Sequence, residues 1–352
     1  MGKQIASRRI LWPSPIAVRQ LKSSKSSQSQ VTVPIWRRLA NRKGLNLQTG
    51  RRALFLVNPK ARRGREPVEP ILARLKAGGL DVTVEPFEAL PELARDIVRL
   101  REMADLVIVC GGDGTVSSAA VAVMESGLPM GIMPMGTAND LARTLNIPMD
   151  LEEAADVIAA GHTRKVDVGT VNGHAFFNVA SIGLSTELAQ SLDPQTKKRW
   201  GRLGYAIAAS RVLTKVRPFK ATITEKGETI RVSTYQIAVG NGRHYGGGNV
   251  VEETAAIDDG HLDLYSLELT NVWKLALMLR SFRSGRHGAW KEVRTARCVE
   301  FDIETDRPRP VNTDGEIVTQ TPAHFKVHPA AISIFAPSAA GESVGSTGRA
   351  AA

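Results

Sequence analysis

Cysteine is scarce in this 352-residue chain. Cys110 and Cys298 stand alone, neither in a CxxC, which excludes a disulfide framework and favours a reducing, cytoplasmic setting. No apolar run reaches the roughly 18 residues that a transmembrane helix needs, so any membrane contact is expected to be peripheral. The first residues lack a continuous apolar stretch, because Pro13, Pro15 and Arg19 interrupt it, which argues against a secretory signal. Ala6 stands where a myristoylation signal wants Ser or Thr. Aromatic residues make up only 5% of the chain, offering few platforms for stacking on nucleic-acid bases. Acid is missing altogether before Glu66. Those first 65 residues hold 16 of the 46 Lys and Arg, leaving 30 bases against all 35 acids, a balance of −5, in the remainder. The formal charge of +11 therefore belongs to a leader and the start of the first domain, and no nucleic-acid partner is expected.

What is present is globular: 43% hydrophobic and 23% charged, at a length that suits two ordinary domains. Residues 1–50 form a basic, Ser-rich leader without periodicity, expected to be poorly ordered. From Ala53 apolar runs alternate with helical stretches: strands near 53–57, 80–84, 105–110 and 130–134, and helices near 68–76, 91–101, 115–125 and 138–145. Such alternation predicts an α/β domain with a doubly wound parallel sheet over 51–165. After Asp167 strands and turns take over. Asn172-Gly173 and Lys226-Gly227 read as hairpin turns flanked by 166–172 with 174–179 and by 221–224 with 229–239. Further strands are expected at 262–267, 298–303 and 331–335, and helices near 197–216 and 271–282. The segment 166–336 is thus predicted to be a β-rich domain, and 337–352 a loose tail.

Two strand-to-helix junctions carry the chemistry. The first is Gly111-Gly112-Asp113-Gly114-Thr115. Ligands of open α/β sheets bind at the carboxyl ends of strands, where helix amides point outward and glycines let backbone approach a phosphate. Asp113 adds a carboxylate for a nucleotide's Mg²⁺ and Thr115 a hydroxyl. Glycines alone would also make a tight turn, but no GxxxxGK[ST] competes for the nucleotide. The second junction runs from Pro134 through Gly136, Thr137, Asn139 and Asp140 to Arg143. A helix cap would explain Thr137 or Asn139 singly, though not a pair of such loops on one sheet edge. Near the far end, Asp314 and Glu316 flank Gly315. Either carboxylate could accept a proton from an alcohol. His324 and His328, four apart, lie in a strand-like run where they would not converge on zinc. Residues 272–286 pattern as an amphipathic basic helix, more often a packing element than a membrane-surface one.

Taken in order, Asn58-Pro59-Lys60-Ala61 with Gly64, the GGDGT and PMGTANDLAR segments, Asp167 to Gly169, Asn178 with Ile182-Gly183, Gly240 to Arg243 with Gly246 to Gly248, Asp258 to Asp263, and Asp314-Gly315-Glu316 resemble the diacylglycerol kinase catalytic-domain family, particularly its bacterial YegS-like lipid kinases. The resemblance spans residues 53 to about 336. It implies an ATP-binding α/β domain followed by a β-sandwich, with the active site in the interdomain cleft. By the same resemblance Asn58, Gly111, Gly112, Asp113, Gly114, Thr115, Val116, Ser117, Gly136, Thr137, Asn139 and Asp140 serve the nucleotide, Asp113 and Asp140 organising Mg²⁺. Asp259, with the carbonyls of Ala256 and His261, falls where the family holds a structural metal, and Glu316 where it places the general base. Where family members often carry a nucleotide-contacting Thr, this chain reads Val84-Glu85-Pro86-Phe87. The implied activity is ATP-dependent phosphorylation of a lipid alcohol, diacylglycerol by default, at a membrane surface, and a homodimer is left open. A soluble NAD kinase shares the GGDG loop, but the GTANDLAR run favours the lipid family. A catalytically silent lipid- or nucleotide-binding protein is the other alternative, against which the intact Asp113, Asp140 and Glu316 speak.

Overall fold

A computed structural model describes residues 50–58, 68–191, 216–241, 244–245, 249–250, 256–269 and 292–338. The leader, the helices expected near 197–216 and 271–282, the amphipathic 272–286 segment and nearly all of the tail lie outside these residues.

The first half builds the expected α/β layers. Strands β1 (Arg51–Val57), β2 (Leu80–Pro86), β3 (Leu106–Gly111) and β4 (Met130–Pro134) are parallel in the order β2-β1-β3-β4. β3 is buried along its whole length, so both of its faces are covered, as its unbroken apolar run requires. Helices α1 (Glu69–Ala77), α2 (Leu90–Leu100), α3 (Asp113–Ser126), α4 (Asp140–Thr144) and α5 (Leu151–Ala160) do the covering, α1 packing with α5 and α2 with α3. α5 is a helix the sequence reading passed over, although Asp150 caps its start by accepting from the amides of Glu152 and Glu153, and Gly161 ends it at φ 82°.

The second half is β-rich. Strands β5 (Thr163–Val171) and β6 (His174–Phe176) form the Asn172-Gly173 hairpin, followed by β7 (Val179–Gly183) and the short helix α6 (Leu184–Ser191). β8 (Phe219–Glu225), β9 (Glu228–Thr234), β10 (Gln236–Gly240), β11 (His244–Tyr245), β12 (Asn249–Val250), β13 (Leu262–Leu267), β14 (Val293–Cys298), β15 (Glu300–Thr305), β16 (Pro310–Thr313), β17 (Glu316–Gln320) and β18 (Ala323–Phe335) complete it. Two stretches expected to be single strands are each two. The run 229–239 breaks at Tyr235 and 298–303 at Val299, and in both cases the chain passes there between two different sheets.

Those sheets fix the architecture. Among the described residues, β14-β13-β10-β7-β16-β17 make a six-stranded antiparallel sheet. β18, β15, β8 and β9 instead extend the parallel sheet, because the end of β18 lies beside β4 with Ile334 opposite Met130. β18 also pairs antiparallel with β5 and β15. Ile332, Ile334 and Phe335 thereby enter the core of the first half. A second core fills the space between the two sheets, with Phe301 stacked on Phe325 at 5.1 Å. A third, smaller cluster lies on the opposite face of the six-stranded sheet and includes Leu184, Ala238, Tyr265 and Leu267.

Candidate active site

The parallel sheet reverses its strand order at β1, so β1 and β3 end side by side with Val57 opposite Cys110. Asn58 and Gly111 leave the sheet together at this switch point, where open α/β folds bind ligands. β4 is next in the sheet, Gly111 facing Pro134, which brings the two glycine loops into contact. A Cβ on Gly136 would stand 2.4 Å from the Gly112 Cα, so only glycine lets the backbones meet. Asn139 pins the second loop. Its side chain accepts from the Gly136 amide at 2.9 Å and donates to the carbonyls of Pro134 and Gly136, while its backbone adopts φ 51°. α4 consequently starts at Asp140, two residues later than the sequence suggests. Among the expected nucleotide residues, the Asn139 amide is thus engaged with its own loop, and the Val116 side chain is packed in the core at 2% exposure. Gly112, Gly114 and Thr115 remain at the surface of the α3 N-terminus, and Thr137 is exposed on the second loop.

Three carboxylates gather at this edge. Asp113 begins α3 and accepts from the Leu141 amide at 3.2 Å. Burial, with the nearby negative charges of Asp314 and Asp140 adding to it, pushes its pKa up to about 6. A cation between Asp113 and Asp140 would relieve that repulsion, and this donor set fits a nucleotide-bound Mg²⁺.

The third carboxylate comes from the second half of the chain. β16 and β17 are joined by a two-residue turn, Asp314 at φ 47° and Gly315 at φ 100°, the backbone that Asp-Gly favours in hairpins. Asp314 accepts from the Ser117 hydroxyl at 2.7 Å and from the amides of Phe177, Asn178 and Val179 at 2.8, 3.1 and 3.0 Å. Burial raises its pKa, opposed by these four donors. Both of its oxygens are engaged. Glu316, one residue beyond the turn, is exposed, and its side chain makes no hydrogen bond or ion pair among the described residues. Its side chain lies over the first loop: a Cβ on Gly114 would stand 3.1 Å from Glu316 Cγ and 3.4 Å from Oε1. The hairpin therefore carries one fixed and one free carboxylate to the first glycine loop. Ser117, expected to contact nucleotide, is instead the α3 end of the tie to Asp314.

The loop 256–261 is arranged differently from a metal seat. Asp259 accepts from the amides of Ala256 and His261 at 3.2 and 3.0 Å, and Arg297 reaches it at 2.5 Å. Its own carbonyl is taken by His261 Nδ1 at 2.7 Å. Asp258 pairs with Arg164 at 2.6 Å, and the buried Asp167 accepts from Gly260 and Ala330. With a guanidinium already neutralising Asp259, these residues as placed do not fit a divalent cation. His324 and His328 have separate partners, Asp302 and Thr170.

A cavity of about 240 Å³ opens from Asp113, Asp140 and Asp314 toward the six-stranded sheet, lined there by Ser181, Ser185, Gln236, Tyr265 and Asn312 among others. None of these five was singled out from sequence. Their signal is a polar residue inside an otherwise apolar strand, as in Val179-Ala180-Ser181-Ile182 or Gln236-Ile237-Ala238-Val239.

Comparison with known proteins adds a consistent picture. Residues 52–171 match the diacylglycerol kinase catalytic domain, and residues 178–336 match the YegS C-terminal NAD kinase beta sandwich-like domain. A protein named diacylglycerol kinase from Staphylococcus carnosus (strain TM300) is 26% identical over 294 residues, covering 82% of this chain and 95% of its own. One of the same name from Staphylococcus aureus (strain JH9) is 27% identical over 294 residues, with coverages of 82% and 93%. A crystal structure of a diacylglycerol kinase from Bacillus anthracis str. Sterne aligns at TM-score 0.69 and 27% identity, covering 82% of this chain and 98% of that one.

Proposed function

We propose, for a chain that belongs to the diacylglycerol kinase catalytic-domain family of YegS-like type and is a lipid kinase, that it transfers the γ-phosphoryl group of ATP to the hydroxyl of diacylglycerol, giving phosphatidic acid and ADP. The observation that carries this is the free Glu316 carboxylate lying over Gly114 at the α3 N-terminus. An alcohol is a poor nucleophile, and such transfers gain mainly from positioning and charge neutralisation. The two glycine loops and the α3 amides supply a cradle for phosphate oxygens. Mg²⁺ arriving with the nucleotide would be held by Asp113 and Asp140 and would neutralise phosphate charge. Glu316 takes the hydroxyl proton as the acceptor oxygen bonds to the γ-phosphorus and the bond to the ADP oxygen breaks. Asp314, engaged by four donors, keeps the hairpin seated on α3 through Ser117 and leaves the proton to Glu316.

Among the described residues no helix is long and apolar enough to cross a membrane. We place the enzyme in the cytoplasm, meeting its lipid at the membrane surface. The test is incubation of the purified protein with γ-labelled ATP, Mg²⁺ and a mixed lipid extract, with Asp113→Ala as control and products identified by mass. Label in phosphatidic acid, lost in the control, is the expected result. Label in NAD and in no lipid would overturn the assignment.

A further inference from the structure

One register line of the six-stranded sheet forms the far wall of the cavity. Asn312 on β16 is opposite Ser181 on β7, Ser181 is opposite Ala238 on β10, and Ala238 is opposite Tyr265 on β13. Directly paired residues share a face, so these four side chains cross the sheet as a single row, and all four line the cavity. The neighbouring residues Ala180, Ile182, Ile237, Val239, Leu264 and Val311 point the other way, into the core between the sheets. The row is mostly polar at the centre of a sheet whose opposite face is wholly apolar there. Packing alone does not call for that.

Gln236 stiffens the same wall. Its side-chain oxygen accepts from the Ser185 amide at 3.1 Å, and its amide group donates to the Tyr265 hydroxyl at 3.0 Å. Two other buried polar atoms on the lining, Asn178 Oδ1 and Ser185 Oγ, have no hydrogen-bond partner among the described residues, and Asn178 is only 2% exposed. Buried polar atoms are nearly always paired, so a pair left open in one cavity marks where a ligand's hydrogen bonds would go. Asn178 Oδ1 can only accept, which asks for a hydroxyl or amine donor on the ligand.

Charge narrows the choice. Among the described residues the lining contains Asp113, Asp140 and Asp314 and no Lys, Arg or His. A phosphodiester head would meet three carboxylates with no cation to offset them. An ammonium head would instead be drawn toward these carboxylates, so the lining argues against an anionic head only. Two residues of the wall, Ala238 and Tyr265, also belong to the apolar cluster with Leu184, Val216 and Leu267. The cavity thus passes from neutral polar atoms directly into apolar surface.

Resting on the lipid-kinase assignment and deepening it, we propose that this cavity is the acceptor pocket, that it disfavours an anionic lipid head and favours one with a second hydrogen-bond donor besides the reacting hydroxyl, and that Asn178 and Ser185 are its specificity-determining residues. Monoacylglycerols, with two free hydroxyls, fit it better than diacylglycerols, and both fit better than anionic phosphatidylglycerol. The experiment uses the full chain with short-chain lipids in detergent micelles, and measures KM for each acceptor, KM for ATP, and the shift in Tm that each lipid produces without ATP. Ser185→Ala removes a hydroxyl that bonds to none of the described residues, so its own Tm should match the wild type. It should raise the monoacylglycerol KM about 3- to 10-fold, the worth of one net hydrogen bond, and reduce the lipid-induced Tm shift, with KM for ATP unchanged. Ser185→Lys should narrow the preference against phosphatidylglycerol. Equal or better use of phosphatidylglycerol by the wild type, or an unmoved monoacylglycerol KM in Ser185→Ala, would overturn the pocket assignment alone. Absence of transfer to every lipid, with no Tm shift from any, would overturn the kinase assignment and the pocket with it.

Discussion

Gly114 shows how one missing side chain sets the chemistry at the residue scale. A Cβ there would stand 3.1 Å from Glu316 Cγ, close enough that the Glu316 side chain must give way by a few tenths of an ångström. Gly114→Ala should leave Tm within about a degree, because the position is at the surface of a helix start. It should lower kcat about 10- to 100-fold by displacing Glu316. Steady-state kinetics beside a thermal melt separates the two effects, and a full-speed Gly114→Ala enzyme would remove Glu316 from the site. The cysteines behave oppositely. Burial, with the Glu225 carboxylate as a lesser cause, pushes the Cys298 thiol up to about 12, and burial raises Cys110 well above its ordinary value. A raised thiol pKa means less thiolate, roughly one part in 10⁴ at pH 8 for Cys298. Neither thiol should react with a disulfide reagent in the folded protein at that pH, whereas both should react after denaturation.

At the scale of the element, the β16–β17 hairpin and the 256–261 loop each depend on one satisfied carboxylate. Asp314→Asn keeps the shape but turns an amine toward backbone donors, at a cost of about 1–3 kcal/mol. A lowered Tm together with reduced kcat is expected, unlike any substitution of the free Glu316. In the loop, Arg297 stands where a metal would otherwise balance Asp259. The wild-type Tm should therefore be indifferent to EDTA, and Arg297→Leu should lower it and make it rise again with added Mg²⁺ or Ca²⁺. An EDTA-sensitive wild type would restore the metal to that loop.

These elements also show what the sequence made legible. The strands at 130–134 and 262–267 could be bounded to the residue, the first as an apolar run buried throughout and the second as Leu262, Leu264, Tyr265 and Leu267 interrupted by Asp263 and Ser266. The glycine loops and the Asp-Gly turn announced themselves through residues that few other backbones tolerate. Strand breaks at Tyr235 and Val299 did not, since each joins two sheets and sheet membership is a long-range property that alternation does not encode. The same blindness hid the cavity row, whose members lie between 27 and 131 positions apart along the chain wherever they pair. A motif likewise names Ser117, Val116 and Asn139 without saying which way each side chain turns: toward Asp314, into the core and onto its own loop.

The central claim belongs to the whole molecule. β18 carries the end of the chain back to β4, placing Ile332, Ile334 and Phe335 in the core of the first half. A fragment ending at residue 171 lacks those side chains and should show no cooperative thermal transition, while deletion of residues 1–49 should leave both the transition and the kinase activity intact. This shared sheet is what brings Glu316 of the second half over Gly114 of the first, as the proposed transfer requires. The most direct measurement compares Glu316→Gln with the wild type for transfer from γ-labelled ATP to diacylglycerol in micelles, with thermal melts of both proteins. We expect kcat to fall at least about 100-fold, the lower end of general-base contributions, at an unchanged Tm. A kcat within a few-fold of the wild type would contradict the claim that Glu316 accepts the acceptor's proton.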